Sequence, residues 1–306
     1  VDPMGVGYAG TPGIWSDTQR DAWKDVTKAV HNAGGRIALQ LWHVGRISEP
    51  LVLDGRDPIS SSAIACPGYI SHQRPKREFP VPRALETHEL PGIVAQYRHA
   101  SELAMQAGFD GVEIHGANGY LLDQFLQDIC NHRTDEYGGS IENRARLHLE
   151  VAEACIGVWG KDRVGMHLAP RGDAQGMGDS NPRTLFTYLA GELAKKGITY
   201  LFLREHVGPD RLAPEIKRAF GGPVIVNEQY SIEQSIADLD SGVADAVGFG
   251  RSFIANPDLP ARLKADAPLN ALVPATIYTP GPVGYTDYPT MDEAADLPTE
   301  PVAFIG

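Results

Sequence analysis

Short apolar runs of strand length alternate along the chain with segments whose apolar residues recur at helical spacing. The first run, residues 36–43, carries Ile37, Leu39, Leu41 and Trp42. Similar runs return at residues 110–115, 163–168, 199–204, 223–227 and 244–250. Between them, helical spacing links Ile93, Val94, Tyr97, Leu103 and Ala104; then Leu149, Ala152 and Val158; then Leu185, Leu189 and Leu193; then Ile232, Ile236 and Leu239. Two of the predicted helices begin with a capping-box sequence, Ser16-Asp-Thr-Gln19 and Ser231-Ile-Glu-Gln234. In the first, Ala22, Val26, Ala29 and Val30 follow until Gly34-Gly35 stops the helix. Strands alternating with helices imply a parallel sheet joined by crossover helices, an α/β fold.

Two segments break the alternation. Residues 45–88, between the first run and its helix, are rich in Pro, Gly, Ser and charge; an insert this long is usually functional, and it is expected to cap the mouth of the fold. From about residue 292 the chain is acidic and aperiodic, which predicts a poorly ordered tail, 292–306. The length of 306 residues with 42% hydrophobic residues suits one large domain, and α/β barrels run to this size. A net charge of −12 without a basic run argues against nucleic acid and anionic membrane partners. No apolar stretch approaches the roughly 20 residues that span a bilayer, so a cytoplasmic protein is expected. Cys66, Cys130 and Cys155 are too scattered for a disulfide framework or a metal-binding spacing and should be free thiols.

The densest chemistry follows the second strand run: His115-Gly-Ala-Asn118-Gly-Tyr120-Leu-Leu-Asp123-Gln-Phe-Leu, then Asn131-His-Arg133-Thr-Asp135-Glu-Tyr137-Gly-Gly-Ser140-Ile-Glu-Asn143-Arg144. An imidazole, a carboxamide and a phenol within six residues, just past a strand, suit holding an oxygen while protonating a nearby carbon. This signature resembles the Old Yellow Enzyme family of FMN-dependent ene-reductases, in its xenobiotic and N-ethylmaleimide reductase branch, and matching motifs extend from about Gly7 to Pro289.

The resemblance implies a single (β/α)8 TIM-barrel domain binding FMN without a covalent bond, with NAD(P)H as transient co-substrate. It implies a ping-pong reduction of activated C=C bonds in enones, enals, maleimides or nitroalkenes, and of nitro compounds or nitrate esters, by a monomer or homodimer. His115 and Asn118 would grip the substrate oxygen, and Tyr120 would donate a proton. Gln40 would meet the flavin pyrimidine edge; Trp42 and Tyr278 would line the substrate cavity. Phosphate binding would fall to Glu228, Gln229, Gly250 and Arg251, although many relatives have glycine where this chain has Glu228-Gln229. Many also carry Arg at the position of His167, where its charge stabilises the reduced flavin. Here that charge is expected from a protonated His167 or from Arg171. The second half of the signature is expected to lock the loop rather than to react.

Only about six βα units are recognisable, whereas a closed barrel takes eight. The simplest reading is that an N-terminal segment of roughly 60 residues is missing. Six strands alone would expose two edges and an apolar barrel interior. The alternative function is therefore a non-catalytic barrel remnant. Gly5-Val-Gly7-Tyr-Ala-Gly10 matches a dinucleotide fingerprint by letter, but no strand precedes it and Pro12 follows.

Overall fold

The computed structural model describes residues 1–295 apart from His72 and Tyr278. Val1–Val247 form one compact unit, and a second begins at Gly248. In the first unit the elements run α1 (Asp17–Asn32), β1 (Ala38–Leu41), β2 (Ile59–Ser60), β3 (Arg83–Ala84), α2 (Leu90–Gln106), β4 (Gly111–His115), α3 (Leu121–Leu126), α4 (Ile141–Trp159) and β5 (Val164–Leu168). They continue with α5 (Pro182–Lys196), β6 (Tyr200–Arg204), α6 (Ala213–Phe220), β7 (Val224–Asn227), α7 (Ile232–Asp240) and β8 (Ala246–Val247). All six predicted strands form. Both capping boxes close as expected, with the Ser16 and Ser231 hydroxyls accepting from the backbone N–H of Gln19 and Gln234.

Among the described residues, six strands make one wholly parallel sheet in the order β1-β4-β5-β6-β7-β8. This is the strand succession of a barrel, each strand beside the next βα unit. Because side chains alternate across a strand, register assigns each residue a face. Val112, Ile114, Val164, Met166, Leu168, Leu201, Leu203, Val224 and Val226 lie in the hydrophobic core, which α2, α4, α5 and α6 build by packing successively on one another. The opposite face carries Gln40 beside Glu113, Glu113 beside Gly165, Gly165 beside Tyr200, His115 beside His167, His167 beside Phe202, and Arg204 beside Asn227. The interior was expected to be apolar, and this row corrects that: it is mostly polar and aromatic.

Two helices orient differently from their sequence pattern. On α7, Ile232, Ile236 and Leu239 are exposed while Ser235 and Asp238 are buried. Asp238 is drawn inward because it accepts from Arg211 Nη1 at 2.6 Å and Tyr230 Oη at 2.8 Å. On α1 the buried residue is Thr27, whose hydroxyl donates to Ala107 O at 2.7 Å. Helix α6, which was not among the predicted helices, buries Ala213, Ile216 and Phe220 and starts where Glu205 accepts from the N–H groups of Leu212 and Ala213.

The insert at 45–88 contains β2 and β3, which pair in parallel, and a bridge between Tyr69 and Glu78. It is bound to α3: Ser60 Oγ donates to Gln124 Oε1 at 2.9 Å and Ser61 Oγ to Gln124 O at 2.6 Å. In the second unit come α8 (Arg251–Ala255), α9 (Leu259–Ala265) and α10 (Met291–Ala295). The last occupies the start of the expected tail, because Glu293 accepts from Thr290 N at 2.8 Å and Met291 N donates to Asp258 Oδ2 at 2.7 Å. The remainder of that tail lies outside the described residues.

Candidate active site

The loop after β4 turns sharply. Asn118 has φ +57° and Gly119 φ +78°, a left-handed pair that asparagine tolerates and glycine favours. A Cβ on Gly119 would lie 2.6 Å from Gln175 Cβ, so the close approach also requires glycine. Asp123 ties the turn back by accepting from Gly119 N at 2.8 Å. Behind it, Asn131 Nδ2 donates to Phe125 O and Tyr137 O at 2.6 and 2.7 Å, and Arg144 Nη1 to Leu126 O at 2.5 Å. Arg133 pairs with Asp135 and reaches Ser61 O at 3.1 Å. The second half of the signature thus holds the loop in place.

This turn gathers four aromatic rings. His115 and Tyr120 meet edge to face with centroids 5.1 Å apart, and Trp42 lies 4.8 Å from Tyr120 and 6.0 Å from His115. Tyr8 stacks on Trp42 at 5.7 Å, and its hydroxyl is 3.1 Å from that of Tyr120. The segment that mimicked a dinucleotide motif therefore supplies a site residue, one that no local signal in the sequence disclosed. Burial holds the Tyr120 phenol well above its ordinary pKa, reinforced by Tyr8, so it stays protonated at neutral pH.

Burial, then the proximity of His167, pushes the His115 pKa well below the usual histidine range. The ring is neutral. Ala117 N–H donates to Nδ1 at 3.3 Å, which assigns the ring proton to Nε2. His115 is thus a neutral donor.

His167 lies 4.9 Å from His115 and 4.8 Å from Phe202, centroid to centroid. Burial and then Arg204 push its pKa down to about 4. It cannot provide a positive charge at neutral pH. The Arg171 guanidinium pairs with Glu205 and Asp210 and donates to His206 O at 2.6 Å. Of the two residues expected to supply the charge, His167 is neutral and Arg171 is held by two carboxylates; a third cation, Arg204, stands at the end of β6. Alternation along residues 200–204 puts Arg204 on the His115 face, a signal present in the sequence. Arg204 Nη1 donates to Asn118 Oδ1 at 2.9 Å, and Nε pairs with Glu228.

Gln40 Nε2 donates to Glu113 Oε1 at 2.6 Å and lies 3.5 Å from His167 Nδ1. Tyr200 Oη donates to Glu113 Oε2 at 3.0 Å. Burial raises the Glu113 pKa against these two hydrogen bonds. Glu228 and Gln229 have φ +102° and +56°, the conformation glycine favours. The backbone keeps the shape of a glycine turn, and the Glu228 carboxylate is directed to Arg204. Gly250 caps α8 with open space where a Cβ would stand, and Arg251 follows, exposed. Tyr278 lies outside the described residues.

These residues fit a flavin. The buried His167 Nε2 and Trp42 Nε1 have no hydrogen-bond partner, and a buried polar atom without one is costly. They stand on a half-buried face with the Gln40 amide and the Arg204 cation.

Residues 1–270 match the description of the NADH:flavin oxidoreductase / NADH oxidase family. The chain belongs to this family. It is an FMN-dependent NAD(P)H oxidoreductase of Old Yellow Enzyme type. Among its relatives, 12-oxophytodienoate reductase 2 of Arabidopsis thaliana is 44% identical over 96% of this chain and 82% of its own length. Chanoclavine-I aldehyde reductase of Penicillium roqueforti is 45% identical over 92% of this chain and 78% of its own. Morphinone reductase superposes with a TM-score of 0.91 at 46% identity, covering 97% of this chain and 83% of that one. It has also been solved in complex with tetrahydroNAD. The old yellow enzyme homologue of Zymomonas mobilis superposes equally well, at 46% identity. The family resemblance and the barrel architecture expected from the sequence are therefore established. Among the described residues no helix is long and apolar enough to cross a membrane.

Proposed function

We propose that this protein reduces carbon–carbon double bonds conjugated to a carbonyl or nitro group, using NAD(P)H as the electron source. The observation that carries the reading is the neutral His115, the Asn118 amide and the protonated Tyr120 on one turn at the end of β4. His115 Nε2–H and Asn118 Nδ2–H are donors suited to the oxygen of an activated alkene; holding that oxygen draws electron density away from the β-carbon. Tyr120 delivers a proton to the α-carbon as general acid. Trp42 and Tyr8 wall the space beside Tyr120 and exclude water. Bound FMN supplies the hydride. Gln40 and His167 would hold its ring, and the backbone at Glu228-Gln229 its phosphate.

One site serving both partners implies ping-pong kinetics. Protein loaded with FMN should lose its visible flavin band on adding NADPH without oxygen and regain it on adding 2-cyclohexen-1-one. Initial rates should give parallel double-reciprocal lines. A protein that takes up no FMN, or a reduced form that the enone does not reoxidise, overturns the reading.

A further inference from the structure

The Asn118 amide has two chemically different ends, and only the NH2 end can donate to a substrate oxygen. Its orientation is therefore part of the site's function, and Arg204 faces the other end, Nη1 donating to Asn118 Oδ1 at 2.9 Å. A guanidinium carries no acceptor, so it can donate only to the carbonyl side of the amide and disfavours the flipped rotamer. Arg204 is itself held by Glu228, whose backbone sits at φ +102°, a conformation side-chain-bearing residues rarely adopt. An ion pair reaching across from β7 fixes the fork that fixes the amide.

We infer that Arg204 is a positioning residue, resting on the function proposed above: it locks Asn118 with its NH2 toward the substrate oxygen and supplies the fixed positive charge that the neutral His167 does not. The charge acts at the same place. It lowers the proton affinity of His115, His167 and Tyr120 alike. For the last of these the effect favours proton donation. Glu228, awkward as a phosphate ligand, thus has a defined task as the anchor of Arg204.

The test is a double-mutant cycle on FMN-loaded protein, read by 4-nitrophenol binding followed by absorbance and by kcat/KM for 2-cyclohexen-1-one. Arg204→Gln should weaken 4-nitrophenolate binding and lower kcat/KM by about tenfold, the effect of losing one hydrogen bond to a charged group. Asn118→Ala should do at least as much, and the double variant should lose less than the product of the two single effects. Arg204→Lys, which keeps the charge but not the planar fork, should recover part of the binding. Arg204→Gln/Glu228→Gln leaves no stranded carboxylate, and should match Arg204→Gln in both readouts if that variant is folded. Effects of Arg204→Gln and Asn118→Ala that multiply, or unchanged binding in every Arg204 variant, would overturn the inference while leaving the proposed function standing. A wild-type protein that binds FMN but neither 4-nitrophenol nor the enone would overturn both.

Discussion

On the helix-covered face of the sheet, Ile114, Met166, Leu201 and Leu203 are fully buried within the apolar core. On the other face of the same strands, Glu113, His115, His167 and Arg204 are linked through amide, phenol and imidazole neighbours. The first face is held by the non-directional transfer of apolar surface out of water, so similar residues of similar size can replace one another. The second is held by directional contacts in a low-dielectric setting, where each polar group needs its own partner. One face is tolerant and makes the fold; the other is exacting and carries the groups proposed for the chemistry.

Substitutions on the two faces should therefore separate activity from stability. The largest effect is expected for Tyr120→Phe, which removes the proposed general acid. Turnover with an enone should fall about 10²–10⁴-fold, while flavin reduction by NADPH and the urea midpoint stay near wild type. Equal loss in both half-reactions would show that Tyr120 is only a wall of the site. On the helix-covered face, Leu201→Ala should cost about 2–5 kcal/mol in urea unfolding with kcat/KM little changed in the folded protein. If activity falls in the folded variant, the two faces are not independent.

Acid sharpens the contrast through His148, which is wholly buried with its pKa pushed down to about 4 against about 6.5 in an unfolded chain. Between those values the unfolded state binds the extra proton. Stability accordingly rises with pH across this window and is lost as pH falls from about 6.5 toward 4, by about 3 kcal/mol at full extent. His148→Gln should flatten the dependence of the urea midpoint on pH in that interval; the same slope in the variant would assign the titration elsewhere. The smallest change is expected within the polar face. A Cβ at Gly165 would lie 2.1 Å from Tyr200 Cζ, so Gly165→Ala must displace the ring that reaches Glu113. The expected loss is about 1–3 kcal/mol, seen as a lower melting temperature; an unchanged value would mean that the ring moves freely.

Much of this protein was legible from its residues. The six strands, the two capping boxes and the turn carrying His115, Asn118 and Tyr120 depend on local periodicity, hydrogen-bonding side chains and glycine placement, all written within a few residues of one another. Tyr8, Arg204 and the Arg204–Glu228 pair were not found. Tyr8 is separated from Tyr120 by 112 positions and Arg204 from Asn118 by 86, and no periodicity couples residues that far apart. Nor did the pattern on α7 disclose that Asp238 rather than Ile236 faces inward, because that choice is made by Arg211 and Tyr230. The sequence by itself determined the order of strands and helices and the chemical groups at the strand ends, since these follow from short-range sterics and burial. Tertiary structure alone decided the burial that keeps His167 neutral and the contact between Arg204 and the Asn118 amide. Each depends on desolvation and on charges brought together by the parallel register of different strands.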